Sequence, residues 1–404
     1  FKIRSPNRTF SLNQPLYFTL EENRKKEKEI LVSKLINEVK TILEEDPYLG
    51  FRIAEEAYNL DKSNPVVINN LINVFANVFS LSDVIEERIK FNHLWLSPNE
   101  KSVILTSKNN FDSSEIPMIY LEFDDYKIDI KWTELVSPIN KVIYSKNGSR
   151  IIANSDNKLF LMKTTGEIIS IISKENAQQN IYALGLNNTF ILTYLFTDFI
   201  LSSKEGETLI EFPVNQQFTW YVTTNHDNSI YISGHDMGII RIWNDMGVLI
   251  NEISNTNLQP IRLISIAPDG SKFLSCAGNE IILRNIEGQQ LNKYKGDYLF
   301  VSANFSHDGH KILATDIKNN IVIWRTFGVH NQVLSLNITL PKPNIGSTSV
   351  RFSKKADHIL FSKGNILKKI PLNCEEILRI VNEDRVYGDI PVLTSKIKEK
   401  YNLR

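Results

Sequence analysis

The sequence predicts a mainly β protein: a seven-bladed β-propeller with an N-terminal α-helical array and a short helical C-terminal tail. Three observations predict it. A polar turn recurs about every forty residues, as in propeller blades. Short apolar runs of strand length flank each turn. Helical spacing is confined to the two ends of the chain.

The turn is the clearest marker. It falls at Ser97-Pro98-Asn99-Glu100, Ser145-Lys146-Asn147-Gly148, Leu186-Asn187-Asn188, Asn225-His226-Asp227-Asn228, Ala267-Pro268-Asp269-Gly270, Ser306-His307-Asp308-Gly309 and Ser353-Lys354-Lys355-Ala356. One unit shows the order of parts. Ile261 to Ile266 is a first, inner strand, and Pro268-Asp269-Gly270 turns the chain because Pro presets φ and Gly accepts positive φ. Lys272 to Ala277 returns, Gly278-Asn279 turns again, and Glu280 to Arg284 is the third strand. Gln290 to Tyr294 then alternates as a half-exposed outer strand should. Third strands elsewhere end on large aromatics, Trp243 and Trp324, placed to wedge between neighbouring blades. These units resemble WD-repeats of a degenerate kind: Asn244 and Arg325 stand where Asp should follow Trp. The seventh unit has no outer strand before Cys374-Glu375-Glu376 begins a helix, so a strand near Val78 to Val84 is expected to close the ring.

Boundaries follow the change of rhythm. Residues 1–82 hold the N-terminal segment and helices, 83–372 the propeller, and 373–404 a helical tail expected to pack on the propeller or on the front helices. Leu31, Leu35, Val39, Ile42 and Leu43 recur at helical spacing until Asp46-Pro47 interrupts them. Pro47 suits the first turn of a second helix, and Val66 to Phe79 reads as a third. Asn373 and Thr394 are candidate caps for two tail helices.

Composition narrows the function. The 42% hydrophobic and 23% charged content is that of a soluble globular protein, and 46 basic residues balance 46 acidic ones. No basic stripe points to nucleic acid or an anionic membrane. Residues 181–201 lack Lys and Arg, but Asn187-Asn188 and Asp198 interrupt them at blade spacing, so they read as strands. Two cysteines, Cys276 and Cys374, suit a reducing, cytoplasmic setting.

No catalytic motif is present: no phosphate-binding Gly-x-x-x-x-Gly-Lys-Ser/Thr loop, no Gly-x-Ser-x-Gly elbow, no His-Glu-x-x-His and no Cys-x-x-Cys. No metal site, cofactor or enzyme activity is expected within the chain. Partner contacts are expected on one end of the propeller, in the loops before inner strands and the hairpins between second and third strands. The candidates there are Trp220, Tyr298, His235, Asp236 and Asp316, with Phe218, Gln259, Asp297 and Asp156 nearby. Aromatics among scattered carboxylates suit a protein epitope.

The run from Ile42 to Leu60, through Glu44-Glu45-Asp46-Pro47-Tyr48-Leu49-Gly50, resembles a segment of bacterial STAND-class signal-transduction ATPases. The tail from Glu375-Glu376-Ile377-Leu378 to Asp389-Ile390-Pro391 resembles the end of such proteins. The resemblance implies a sensor region: a propeller that binds a protein trigger, often foreign or phage-derived. Binding would release oligomerisation of an ATPase and effector in antiviral defence or signalling. It places the ATPase, with its ATP and Mg, upstream of Phe1 or on another polypeptide, and any homo-oligomer would form through those parts. The other readings of the residues are a constitutive scaffold subunit of a multiprotein complex and a propeller enzyme with a site at the channel mouth.

Overall fold

The computed structural model describes residues 14–79, 93–97, 102–106, 118–124, 127–132, 141–145, 148–155, 158–173, 179–184, 190–194, 199–203, 207–214, 217–225, 227–254, 258–327, 332–338, 348–363, 366–383, 390 and 392–401. The chain divides into two compact units: residues 1–78 with 373–404, and residues 79–372.

The first unit is helical. Helix α1 (Gln14–Glu45) is followed by α2 (Pro47–Leu60) and α3 (Pro65–Val78). Helix α1 begins at Gln14, well before the periodic residues Leu31 to Leu43 that mark it in the sequence, because nothing in the Glu-, Lys- and Arg-rich run between breaks a helix. Only its later turns bury a face, through Val32, Leu35, Val39 and Ile42. Asp46 ends α1 and caps α2, accepting from the Leu49 backbone N–H at 2.9 Å. Gly50 lets α2 approach α1: a Cβ there would lie 2.8 Å from Leu43 Cδ2.

Helices α4 (Cys374–Asn382) and α5 (Ser395–Lys400) are capped by Asn373 and Thr394, as the sequence indicates. Of the two docking places expected for the tail, its described contacts are with the front helices. Buried Arg52 donates to Glu55 Oε2 at 2.7 Å, Asn382 Oδ1 at 2.5 Å and the Ile390 carbonyl at 3.0 Å. Asn382 in turn donates to Glu55 at 2.8 Å, and Tyr58 and Lys62 both donate to Glu375.

The second unit is a ring of small sheets. Among the described residues there are seven, each antiparallel with its strands in sequence order. Six have four strands; the seventh has three, Thr348–Phe352, His358–Lys363 and Ile366–Pro371. The expected closing strand lies almost wholly outside the described residues. What is described is that Val78 ends α3 and that Lys368 donates to the Phe79 carbonyl at 3.1 Å.

First strands of the second to seventh sheets lie side by side, and that of the first sheet lies beside the seventh; Ile104 of the first sheet packs with Val142 and Ile151 of the second. Apolar clusters fill the seams. Phe199 and Phe212 of the third sheet stack at 4.2 Å, and Trp243 of the fourth meets both edge-on. Tyr294 and Ala303 pack with Trp324 between the fifth and sixth. Trp243 and Trp324 thus form the inter-sheet wedges expected from the sequence. In the fourth sheet the second and third strands are buried on both faces, whereas the outer strand Leu249–Ser254 is largely exposed.

Among the described residues the repeating turn has a common geometry. Gly148, Asn228, Gly270, Gly309 and Ala356 all take positive φ, between 54° and 71°. Ser97, Ser145, Ser306 and Ser353 open their turns alike, each hydroxyl accepting the backbone N–H five residues on at 2.9–3.0 Å. Asn225 does the same with its side-chain oxygen, at 3.1 Å from the Ile230 nitrogen.

Candidate functional site

Antiparallel sheets put the turns just described at one end of the ring. The hairpins between second and third strands, and the connections entering each new sheet, therefore lie at the other end. Hydrogen bonds join these loops into one surface across the fourth, fifth and sixth sheets. Asp236 N–H donates to Phe218, Ile261 to His235, Phe300 to Gly278 and Ile317 to Leu299, each to the carbonyl, at 3.0–3.3 Å.

Trp220 and Asp236 come together here. Trp220 lies on the strand Thr219–Thr224, and its Nε1–H donates to Asp236 Oδ1 at 2.5 Å. The Phe218 ring sits 4.6 Å away and the Arg262 guanidinium lies over the indole at 4.7 Å. Tyr298 stands on the connection into the sixth sheet, 43% exposed, with the Lys318 ammonium 5.9 Å from its ring centre. Both aromatics therefore carry a cation on one face.

His235 belongs to the core instead. It has no exposed surface, and its ring bridges Ser233 Oγ at 2.8 Å and Thr219 Oγ1 at 3.3 Å. Trp243 Nε1–H donates to the same Ser233 oxygen at 2.8 Å. One assignment satisfies this chain: Ser233 donates to Nε2, and the Nδ1–H donates to Thr219. Burial first, and then the Arg241 charge, holds the imidazole down at about 3, so it is neutral at ordinary pH. At His235, offered by the sequence as a partner contact, this burial leaves no side-chain surface exposed.

Asp316 is likewise a structural residue. It is 5% exposed, and it accepts from the Lys318 and Asn320 backbone and from Asn320 Nδ2 at 2.7–3.0 Å. Its carboxylate is consumed in shaping the hairpin. Asp156 lies outside the described residues; Gln259 and Asp297 lie exposed on the loops of this surface.

Sequence reasoning missed the apolar part of the face. Met237, Leu258, Leu299 and Ile317 are 57%, 56%, 52% and 46% exposed. Met237 and Leu258 also hold φ of 56° and 52°. Bulky apolar residues rarely adopt that left-handed region, and such outliers cluster at ligand sites. Between Gln259 and Leu299 the surface dips at Gly278, where even a Cβ would lie within 4 Å of both. Nothing in these residue types announces exposure; hydrophobic residues in short loops read equally well as core.

Among the described residues no group of three or more His, Cys, Asp and Glu side chains gathers at a common metal position. Cys276 and Cys374 are buried free thiols, each pushed up to about 12, mainly by burial. No described helix is long and apolar enough to cross a membrane.

No protein-family model matches the chain, and no curated protein matches it. Solved structures do. A chain in a crystal structure of the mitotic checkpoint complex superposes with a TM-score of 0.56 at 12% identity, over 70% of this chain and 90% of that one. At that identity the likeness shows the fold alone: residues 79–372 form a β-propeller.

Proposed function

We propose that the seven sheets act as one seven-bladed sensor platform whose loop face on the fourth to sixth sheets docks a protein partner. In this reading the chain is the sensor region of a STAND-type signalling ATPase, and the partner is its trigger. The observation that carries the docking role is the exposed apolar set Met237, Leu258, Leu299 and Ile317, interleaved with Trp220 and Tyr298. Exposed apolar residues grouped on one surface favour an interface, and rigid aromatics among them are the usual anchors. The partner is expected to present apolar residues with acidic ones beside them. Arg262 and Lys318 stand at the aromatic anchors, while Asp236 and Asp316 are held by Trp220 and by the hairpin.

The sensor role rests on the resemblance of Ile42–Leu60 and of the tail to STAND-class proteins. Binding switches such a machine only through a difference in affinity for two arrangements of its parts. The test is the native polypeptide, purified whole from its source and assayed for nucleotide hydrolysis and size with and without trigger. An intact mass far above 46.4 kDa with trigger-dependent oligomerisation supports the reading. A native mass of 46.4 kDa with a constant partner set supports a fixed scaffold subunit instead.

A further inference from the structure

The inner edge of the loop face carries a repeated feature that its apolar residues do not explain. In the fourth, fifth and sixth sheets, Tyr221, Leu263 and Ser302 of the inner strands stand opposite Gly234, Cys276 and Thr315. The residue just before each is Trp220, Arg262 and Val301, so these three hold one position in three successive sheets. In the fourth and sixth sheets the register shifts there, which leaves Trp220 and Val301 as bulge residues without a cross-strand partner. In the fifth, Arg262 stands one residue before the strand, its N–H donating to the Cys276 carbonyl at 3.2 Å. Bulges re-aim side chains and are enriched beside functional sites. Inner strands of these sheets lie side by side, so the three residues form a row. Val301 is 42% exposed and Arg262 is exposed as well.

Arg262 differs from the arginines that hold the fold together. Arg52, Arg241 and Arg284 each donate to an acceptor of their own unit. Arg262 instead lays its guanidinium over the Trp220 indole, and no hydrogen bond or ion pair joins that group to another described residue. The platform beneath it is fixed, because the indole N–H is held by Asp236 and the Phe218 ring packs at 4.6 Å. The nearby carboxylates are accounted for. Asp236 accepts from the indole and Asp316 from its own hairpin, while Asp297 lies exposed on the connection into the sixth sheet. Among the described residues none of them comes within 4.0 Å of the Arg262 guanidinium. Residues 215–216 and 255–257, in the connections into the fourth and fifth sheets, are Asn, Gln and Thr.

We infer that Arg262 is the residue that selects the partner, its fork taking the carboxylate of an Asp or Glu side chain on the partner protein. A planar guanidinium can stack by its face and still match two carboxylate oxygens with its edge. Stacking on a clamped indole also orders the side chain before the partner arrives, which lowers the entropy lost on binding. Trp220 and Val301 flank the pair with apolar surface that keeps water from it. The inference rests on the docking reading and narrows it from a surface to one contact.

The test uses the native polypeptide in its own cell, with a photo-crosslinking residue at Leu299, and reads the yield and the peptide sequence of the protein adduct. Arg262→Gln is expected to lower the yield about tenfold, the loss of a charge-assisted contact. Arg262→Lys keeps the charge but not the fork, and should fall between the Gln variant and the wild type. Arg262 is exposed, so both variants should unfold at the wild-type midpoint. The captured partner peptide is expected to hold an Asp or Glu beside the crosslinked residue. Replacing that acid by Ala should cost as much as Arg262→Gln, with no further loss when the two changes are combined. Wild-type yields from both Arg262 variants, or losses that add in the combined variant, would overturn the inference and leave the docking face standing. No adduct from the wild type at position 299 would overturn both.

Discussion

Ser233 shows how much one hydroxyl organises. It receives the Trp243 indole N–H and bridges to His235, in a strand buried on both faces. The next sheet solves the same problem differently: Arg284 occupies the register of Trp243 and donates to Ser275, the counterpart of Ser233, at 2.6 Å. Trp243→Phe leaves this chain short of a donor, and is expected to cost roughly 1–3 kcal/mol in denaturant unfolding. His235 adds a pH dependence. Its imidazole has a folded value of about 3 against an ordinary 6.5. Below about pH 6.5 the unfolded chain takes up a proton that the folded chain refuses. The contribution is therefore present above that pH and lost as pH falls toward 3. Between about pH 6 and pH 5 the wild type should lose about 1 kcal/mol more stability than His235→Gln, which does not titrate. Equal losses in both proteins would place the histidine in water.

At the scale of elements, the turn was the most legible feature, and physics explains why. A residue held at positive φ selects Gly or Asn, so Gly148, Asn228, Gly270 and Gly309 mark their turns in the sequence itself. Ala356 holds φ 54° without that freedom, kept there by the Ser353 clamp on the His358 N–H. Gly309→Ala should cost about 1–2 kcal/mol, whereas Ala356→Gly should stabilise by up to about 1 kcal/mol once the looser unfolded chain is counted. Unfolding midpoints of the two variants, moving in opposite directions, check this pair. The site was less legible. Trp220 and Asp236 were both named from the sequence, and the structure joins them. His235 and Asp316 were named for the same reason, that polar residues at hairpins look available. Availability, however, depends on strand register and burial, which one sequence does not display. Met237 and Leu258 were missed because a strained backbone leaves no mark in an apolar residue's identity.

At the scale of the molecule, two units built on different principles share one chain. The helical unit is tied by Arg52, which joins α2 to Asn382 of α4 and to the Ile390 carbonyl. Arg52→Ala leaves Glu55 without that partner and should destabilise this unit by roughly 3–5 kcal/mol. Hydrogen exchange should show the loss in α2 and α4. The propeller offers an apolar and aromatic face on the fourth to sixth sheets. The central claim is that this face is where a protein partner sits. A photo-crosslinking residue placed at Leu299 or Ile317 of the native polypeptide, in its own cell, tests this most directly, with Met246 as a still more exposed site elsewhere on the propeller. The account predicts the same discrete protein adduct from positions 299 and 317 and none from 246. Adducts from 246 alone, or no adduct from 299 and 317, would contradict it.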